Sequence, residues 1–130
     1  MIGYKPLFRG WDGKTMHENV NIMDGEAVRR GYGLYRFHGK AAGGIPMQWT
    51  GLPDRLGRPI YEDDVVKGHF RANGRSYRLI GLVVFKAPAF VIHGVKQYAG
   101  YRQPLDSSYE VIGNRHEHPE LVTEARSNAP

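Results

Sequence analysis

The chain has no cysteine, which excludes disulfides and thiolate metal sites and makes a reducing compartment the expected setting. It has no long apolar run either. The longest, residues 79–92, is broken by Lys86 and Pro88, so no membrane-spanning helix is expected. The opening Met1-Ile2-Gly3-Tyr4-Lys5-Pro6 lacks the apolar stretch of a secretory signal. These absences point to a cytoplasmic protein with no membrane partner. Seventeen glycines and eight prolines leave little room for long helices and favour short strands joined by turns. Acidic residues are missing from two stretches, 27–53 and 65–105.

What is present fits one globular domain: 130 residues, 41% hydrophobic and 24% charged, enough for a core without staples. The net charge of +5 matters less than its placement. Lys67, Arg71, Arg75, Arg78, Lys86, Lys96 and Arg102 occupy one acid-free stretch, and Arg29, Arg30, Arg36 and Lys40 the other. Segregation of this kind puts a positive field on one region if the segments adjoin; basic side chains solvating exposed strands read the same way.

Residues 4–12 and 15–23 read as two strands, 26–30 as one helical turn stopped by Gly31, and 32–38 as a strand. Further strands are expected at 47–52, 60–61 and 65–72. A turn-rich connection, 53–59, lies between the first two, and the acidic turn Glu62-Asp63-Asp64 precedes the third. Asp64 is expected to accept turn amide hydrogens there. Asn73-Gly74 fits a type I′ turn, which requires positive φ at both positions. A two-residue loop pairs Ala72 with Arg75, Phe70 with Tyr77 and Gly68 with Leu79. Val66, Phe70, Tyr77, Leu79 and Val83 then face the core, while Lys67, His69, Arg71 and Arg78 form a basic stripe on the opposite face. His69 stands across from Arg78, a pairing that favours no fold and hints at a ligand surface. Strands at 81–85, 90–95 and 109–112 follow, with 96–108 read as a mobile loop. Residues 119–124 suit a short helix started by Pro119, and 125–130 a frayed tail.

Three blocks carry a family resemblance: Phe8-Arg9-Gly10-Trp11-Asp12; Met47-Gln48-Trp49-Thr50-Gly51-Leu52-Pro53-Asp54 through to Val66; and Tyr109-Glu110-Val111-Ile112-Gly113-Asn114 with Pro119-Glu120-Leu121. Together they resemble the YopX-like proteins of phages and prophages. The resemblance implies an all-β fold, a small SH3-like β-barrel with extra N-terminal strands and a short C-terminal helix. It also implies a single domain over 1–124, with 1–44 preceding a barrel part at 45–124, working in the cytoplasm of a bacterial host. The family usually has Gly where this chain has Asp63, a residue that tolerates positive φ. Arg115-His116-Glu117-His118 replaces a less charged linker, in which Asn usually precedes the proline and caps better than His118.

Each chemical constellation has a bland counterpart. His116 and His118 are too few for a metal site, and Glu62-Asp63-Asp64 suits a structural turn better than a Mg²⁺ site. Gly31-Tyr32-Gly33 lacks the third glycine and the βαβ setting of a dinucleotide loop. Residues 29–40 interleave bases with aromatics, which fits single-stranded nucleic acid and half-buried strands equally. Trp11 and Trp49 are expected in the core. No catalytic residue, cofactor or metal follows. The leading expectation is a non-enzymatic accessory protein that binds DNA or RNA through Lys67, His69, Arg71, Arg75 and Arg78, helped by Arg29, Arg30 and Arg36. The alternative is a module that binds a bacterial host protein or self-assembles through strand edges; a metal-dependent hydrolase ranks last.

Overall fold

A computed structural model describes residues 8–18, 20–23, 26–29, 35–36 and 45–123, of which 21–23, 26–29 and 35–36 enter as backbone strands. Twelve strands are present among them: β1 (Phe8–Trp11), β2 (Met16–His17), β3 (Asn21–Met23), β4 (Glu26–Arg29), β5 (Tyr35–Arg36), β6 (Ile45–Pro53), β7 (Pro59–Tyr61), β8 (Asp64–Ala72), β9 (Arg75–Lys86), β10 (Ala89–Gly94), β11 (Arg102–Pro104) and β12 (Glu110–Asn114). They form antiparallel sheets ordered β2-β1-β6-β7, β3-β4-β5 and β11-β10-β9-β8-β12. The all-β expectation holds, and the five-stranded sheet curls into a half-barrel. Residues 1–7 and 124–130, which include the expected tail, lie outside the described part.

The β8–β9 hairpin is the frame of the fold. Asn73 and Gly74 have φ of 54° and 74°, the left-handed pair a type I′ turn demands. The register follows from it: Ala72 faces Arg75, Phe70 faces Tyr77, Gly68 faces Leu79 and His69 faces Arg78. Val66, Leu79 and Val83 on one face join Ile60, Ile92 and Tyr109 in a fully buried core. Each such aliphatic side chain contributes about 1.5–3 kcal/mol on burial. Gly68 is required by close approach, because a Cβ there would lie 2.6 Å from Cδ2 of the buried Tyr109 ring. In β12 the pairing steps from Val111–Val66 to Gly113–Val65, so Ile112 is an extra residue that bends the strand and helps close the curl.

Strand β1 is tied to the barrel part. β1 pairs with β6 from Phe8–Gln48 to Trp11–Ile45, and the buried Arg9 reaches Asp64 at the start of β8.

Three local expectations are corrected. Residues 26–29 form strand β4 rather than a helical turn: pairing with β3 on one side and β5 on the other supplies backbone partners that one isolated turn lacks. The stretch 15–23 holds two strands, β2 and β3, rather than one. The expected loop 96–108 contains a 3-10 turn, Lys96–Tyr98, and edge strand β11, held by pairing of Val91 with Pro104 and His93 with Arg102. The expected short helix started by Pro119 is present as a 3-10 turn, Pro119–Leu121, with Glu120 in it. His118 caps nothing with its side chain, because its Nδ1 accepts the Asn114 amide hydrogen instead (3.2 Å).

Candidate nucleic-acid interface

Alternation along the hairpin puts residues 67, 69 and 71 of β8 on one face with 80, 78 and 76 of β9. Lys67, His69 and Arg78 therefore stand together and exposed. A cleft of about 570 Å³ opens over them, its wall completed by Arg55, Ser108 and Glu110. Arg71 is on the same face beyond the cleft, its Nη2 donating to the Gly74 carbonyl at 3.3 Å. Arg75 is not with them: paired with Ala72, it belongs to the face of Phe70 and Tyr77. Arg29 and Arg36 are in β4 and β5, in a separate sheet from the hairpin, and Arg30 lies outside the described residues.

The three further cleft residues arrive from far along the chain. Glu110 of β12 pairs in register with Lys67 and so enters on the basic face. Its carboxylate is already engaged, accepting from Arg55 Nε (3.2 Å) and Nη2 (3.0 Å), with Arg58 Nη2 at 3.8 Å. Arg55 is held by the loop that Asp54 organises. The buried Asp54 carboxylate accepts the amide hydrogens of Leu56 (2.9 Å), Arg58 (2.8 Å) and Val111 (3.0 Å), plus Arg58 Nε (3.1 Å). Burial pushes this carboxyl up, but the Val111, Arg58 and Leu56 amides and the Arg58 charge outweigh it and hold it below the usual range. Among the described residues no carboxylate pairs with Lys67, Arg71, Arg75 or Arg78. Farther along the same face Lys86, His93 and Arg102 surround Val91 and Pro104. Burial first, then Arg102 and Lys86, lowers the His93 pKa, and its Nε2 accepts from Arg102 at 3.3 Å. The sheet face thus carries cations at both ends.

The acidic turn is structural in its geometry. Its three side chains diverge: Glu62 Oε1 accepts the Gln48 amide hydrogen (3.3 Å), Asp63 Oδ2 meets His116 Nε2 (2.8 Å), and Asp64 accepts from Tyr61 N (2.7 Å) and Arg9 (2.6 Å). His116 and His118 make separate contacts, and among the described residues no cluster of three potential ligands is arranged for a metal ion. Trp11 and Trp49 are half-buried rather than central, and Trp11 stacks on His116 at 5.7 Å between ring centroids.

Two carboxylates give the fold opposite pH dependences. The hydrogen bond from His17 lowers the Asp12 pKa from 3.8 to about 2, against some burial and aided by the Thr15 and Lys14 amides. Stability from Asp12 is present above its unfolded pKa and is lost as pH falls towards 2. Burial raises Asp64 from 3.8 to about 6, although Arg9 and the Tyr61 amide pull it down. Its contribution is present below pH 4 and is lost as pH rises through 6. Thermal melts from pH 2 to 7 are expected to pass through a maximum between about pH 4 and 6. Asp12→Asn should flatten the acid limb only; an unchanged limb would exclude Asp12 as its source.

The sequence matches the model of the YopX protein family over residues 7–123. The chain belongs to the YopX family. Two solved structures share the YopX fold. Protein EF1440 from Enterococcus faecalis is 24% identical, with a TM-score of 0.60, over 93% of this chain and 100% of that one. Protein yopX from Bacillus subtilis is 21% identical, with a TM-score of 0.50, over 92% of this chain and 100% of that one. Among curated proteins no match is found. The acidic turn and the linker 115–118 touch each other. Asp63 takes the glycine conformation with φ of 73°, and its carboxylate bonds His116 from the altered linker. No helix among the described residues is long and apolar enough to cross a membrane.

Proposed function

We propose that this YopX-family chain is a non-catalytic accessory protein of phage or prophage origin that works in the cytoplasm of a bacterial host and binds nucleic acid through the basic face of β8–β9. One observation carries the reading: Lys67, His69 and Arg78 line a single cleft in which the only carboxylate among the described residues, Glu110, is already held by Arg55. Unpaired cations on a rigid hairpin suit a phosphate backbone, whose counterions are released when lysine and arginine replace them. Arg71 extends the track towards the hairpin tip, and Arg55 and Ser108 add donors at its base.

The strand-addition alternative has little to work with at the β11 edge of the five-stranded sheet. The outer strand β11 is three residues long and ends in Pro104, which has no N–H to offer a ladder.

Fluorescence anisotropy with labelled DNA and RNA over a salt series tests the reading. Binding is expected to weaken steeply with salt, with a logarithmic slope of about −2 to −4 for three or four phosphate contacts. Lys67→Glu with Arg78→Glu should reduce affinity at least about tenfold and flatten that slope, because both positions are exposed and each variant replaces a cation offered to phosphate with an anion. The melting temperature should stay within a few degrees of the parent. Equal affinity in the parent and the double variant would remove the cleft from the interface.

A further inference from the structure

The hairpin's other face is chemically different from its basic one. Phe70 on β8 stacks on Tyr77 of β9 with ring centroids 5.5 Å apart and planes at 26°. Tyr101, from the segment before β11, approaches the same Phe70 ring at 6.3 Å. Phe70 is half-buried and packs against the core, so it fixes the cluster from beneath. The outer two rings remain open, Tyr77 at 38% and Tyr101 at 52% exposure. Arg75 shares this face, and Arg71 and Arg78 occupy the reverse side of the same two strands. The whole stretch 65–105 contains no acid to repel a polyanion. Cross-strand ring pairing alone accounts for Phe70 against Tyr77. It does not account for a second exposed tyrosine brought in from outside the hairpin, nor for cations on both sides of the ribbon.

We infer that Tyr77 and Tyr101, backed by Phe70, form a stacking platform for unpaired bases, so that the ligand of the β8–β9 arm is single-stranded nucleic acid rather than duplex. The inference rests on the nucleic-acid reading above and adds the strand state. A duplex keeps its base faces stacked on one another and offers these rings nothing but sugar and phosphate. A single strand presents both parts at once, bases to the tyrosines and phosphates to Arg75, Arg71 and Arg78. Stacking on exposed rings is indifferent to base identity, so broad sequence tolerance is expected.

The test uses the whole chain and three labelled probes of equal length: a single-stranded oligodeoxynucleotide, its duplex, and a single strand of abasic residues. The parent is expected to bind the normal single strand at least about tenfold tighter than the abasic one, because stacking supplies the difference at equal charge. Tyr77→Ala with Tyr101→Ala should bring the normal strand down to the abasic level and leave duplex binding unchanged. Tyr77→Phe with Tyr101→Phe keeps the rings and should bind like the parent. Equal affinity for normal and abasic strands, a preference for duplex, or insensitivity to the alanine pair would each overturn the platform while leaving the basic cleft standing. Binding to none of the probes, at low salt included, removes the cleft and the platform together. The abasic comparison needs no variant, so the test survives if the alanine pair fails to fold.

Discussion

Asp54→Ala is expected to lower the free energy of unfolding by about 3 kcal/mol, measured by urea denaturation. The Asp54 side chain is wholly buried, and its two oxygens take four hydrogen bonds: one serves Leu56 N and Arg58 N, the other Val111 N and Arg58 Nε. The backbone adds Asp54 N to Arg58 O at 2.6 Å and Gly57 N to Asp54 O at 2.9 Å, so the loop is closed on itself around this residue. Alanine leaves three amide hydrogens without their acceptor, each costing about 1–3 kcal/mol if it stays dry. Part of the loop is exposed and water recovers part of that, hence a figure at the low end of the sum. Asp54→Asn keeps one acceptor oxygen and should fall in between. Binding should suffer as well, since Arg55 and Arg58 restrain the cleft's carboxylate from this loop. A loss under about 1 kcal/mol for the alanine variant would mean that the turn forms without its carboxylate.

Arg9→Ala is the second large effect, about 3 kcal/mol at neutral pH. Arg9 is 7% exposed; its Nη2 meets Asp64 Oδ1 at 2.6 Å and its guanidinium lies 4.6 Å over the Tyr61 ring. Deleting it strands a buried carboxylate whose other donor among the described residues is the Tyr61 amide. Asp64 then escapes by taking up a proton, because losing Arg9 removes the strongest influence that lowers its pKa. The deficit should therefore shrink as pH is lowered from 7 to 5. Arg9→Met with Asp64→Asn removes both charges and keeps an acceptor for Tyr61, and should recover most of the loss. A double variant as unstable as Arg9→Ala alone would place the cost in packing against Tyr61 rather than in charge.

Local chemistry was legible in the sequence and distant chemistry was not. Asn73-Gly74 fixed both turn and register because a two-residue loop leaves no slack. The Asp64 bond to its own turn was legible for a similar reason, whereas the positive φ of Asp63 came through the family resemblance. Arg75 was grouped with the stripe by charge, although its pairing with Ala72 already placed it on the other face. Strand β11 could not be read from its own residues, since pairing with β10 makes it a strand. Arg55, Ser108 and Glu110 carry no local sign of a cleft. They meet Lys67 only through the pairing of β12 with β8, which depends on the closed fold.

The bond between Arg9 and Asp64 spans 55 residues, and this sets an order on how the molecule assembles. The β8–β9–β10 meander closes through short connections, whereas β1 must find β6 and Asp64 across long separations in sequence, whose closure is slow. Made first, β1 is completed last. Until then only the neighbouring β2 pairs with it, and its other edge is open to other chains, the situation in which edges aggregate. The guanidinium of Arg9 sits in the middle of that strand and is aimed, in the finished protein, at the interior. A charge in that position is costly to bury against any partner but one, so Arg9 guards the strand against stray pairing until Asp64 is in place to receive it.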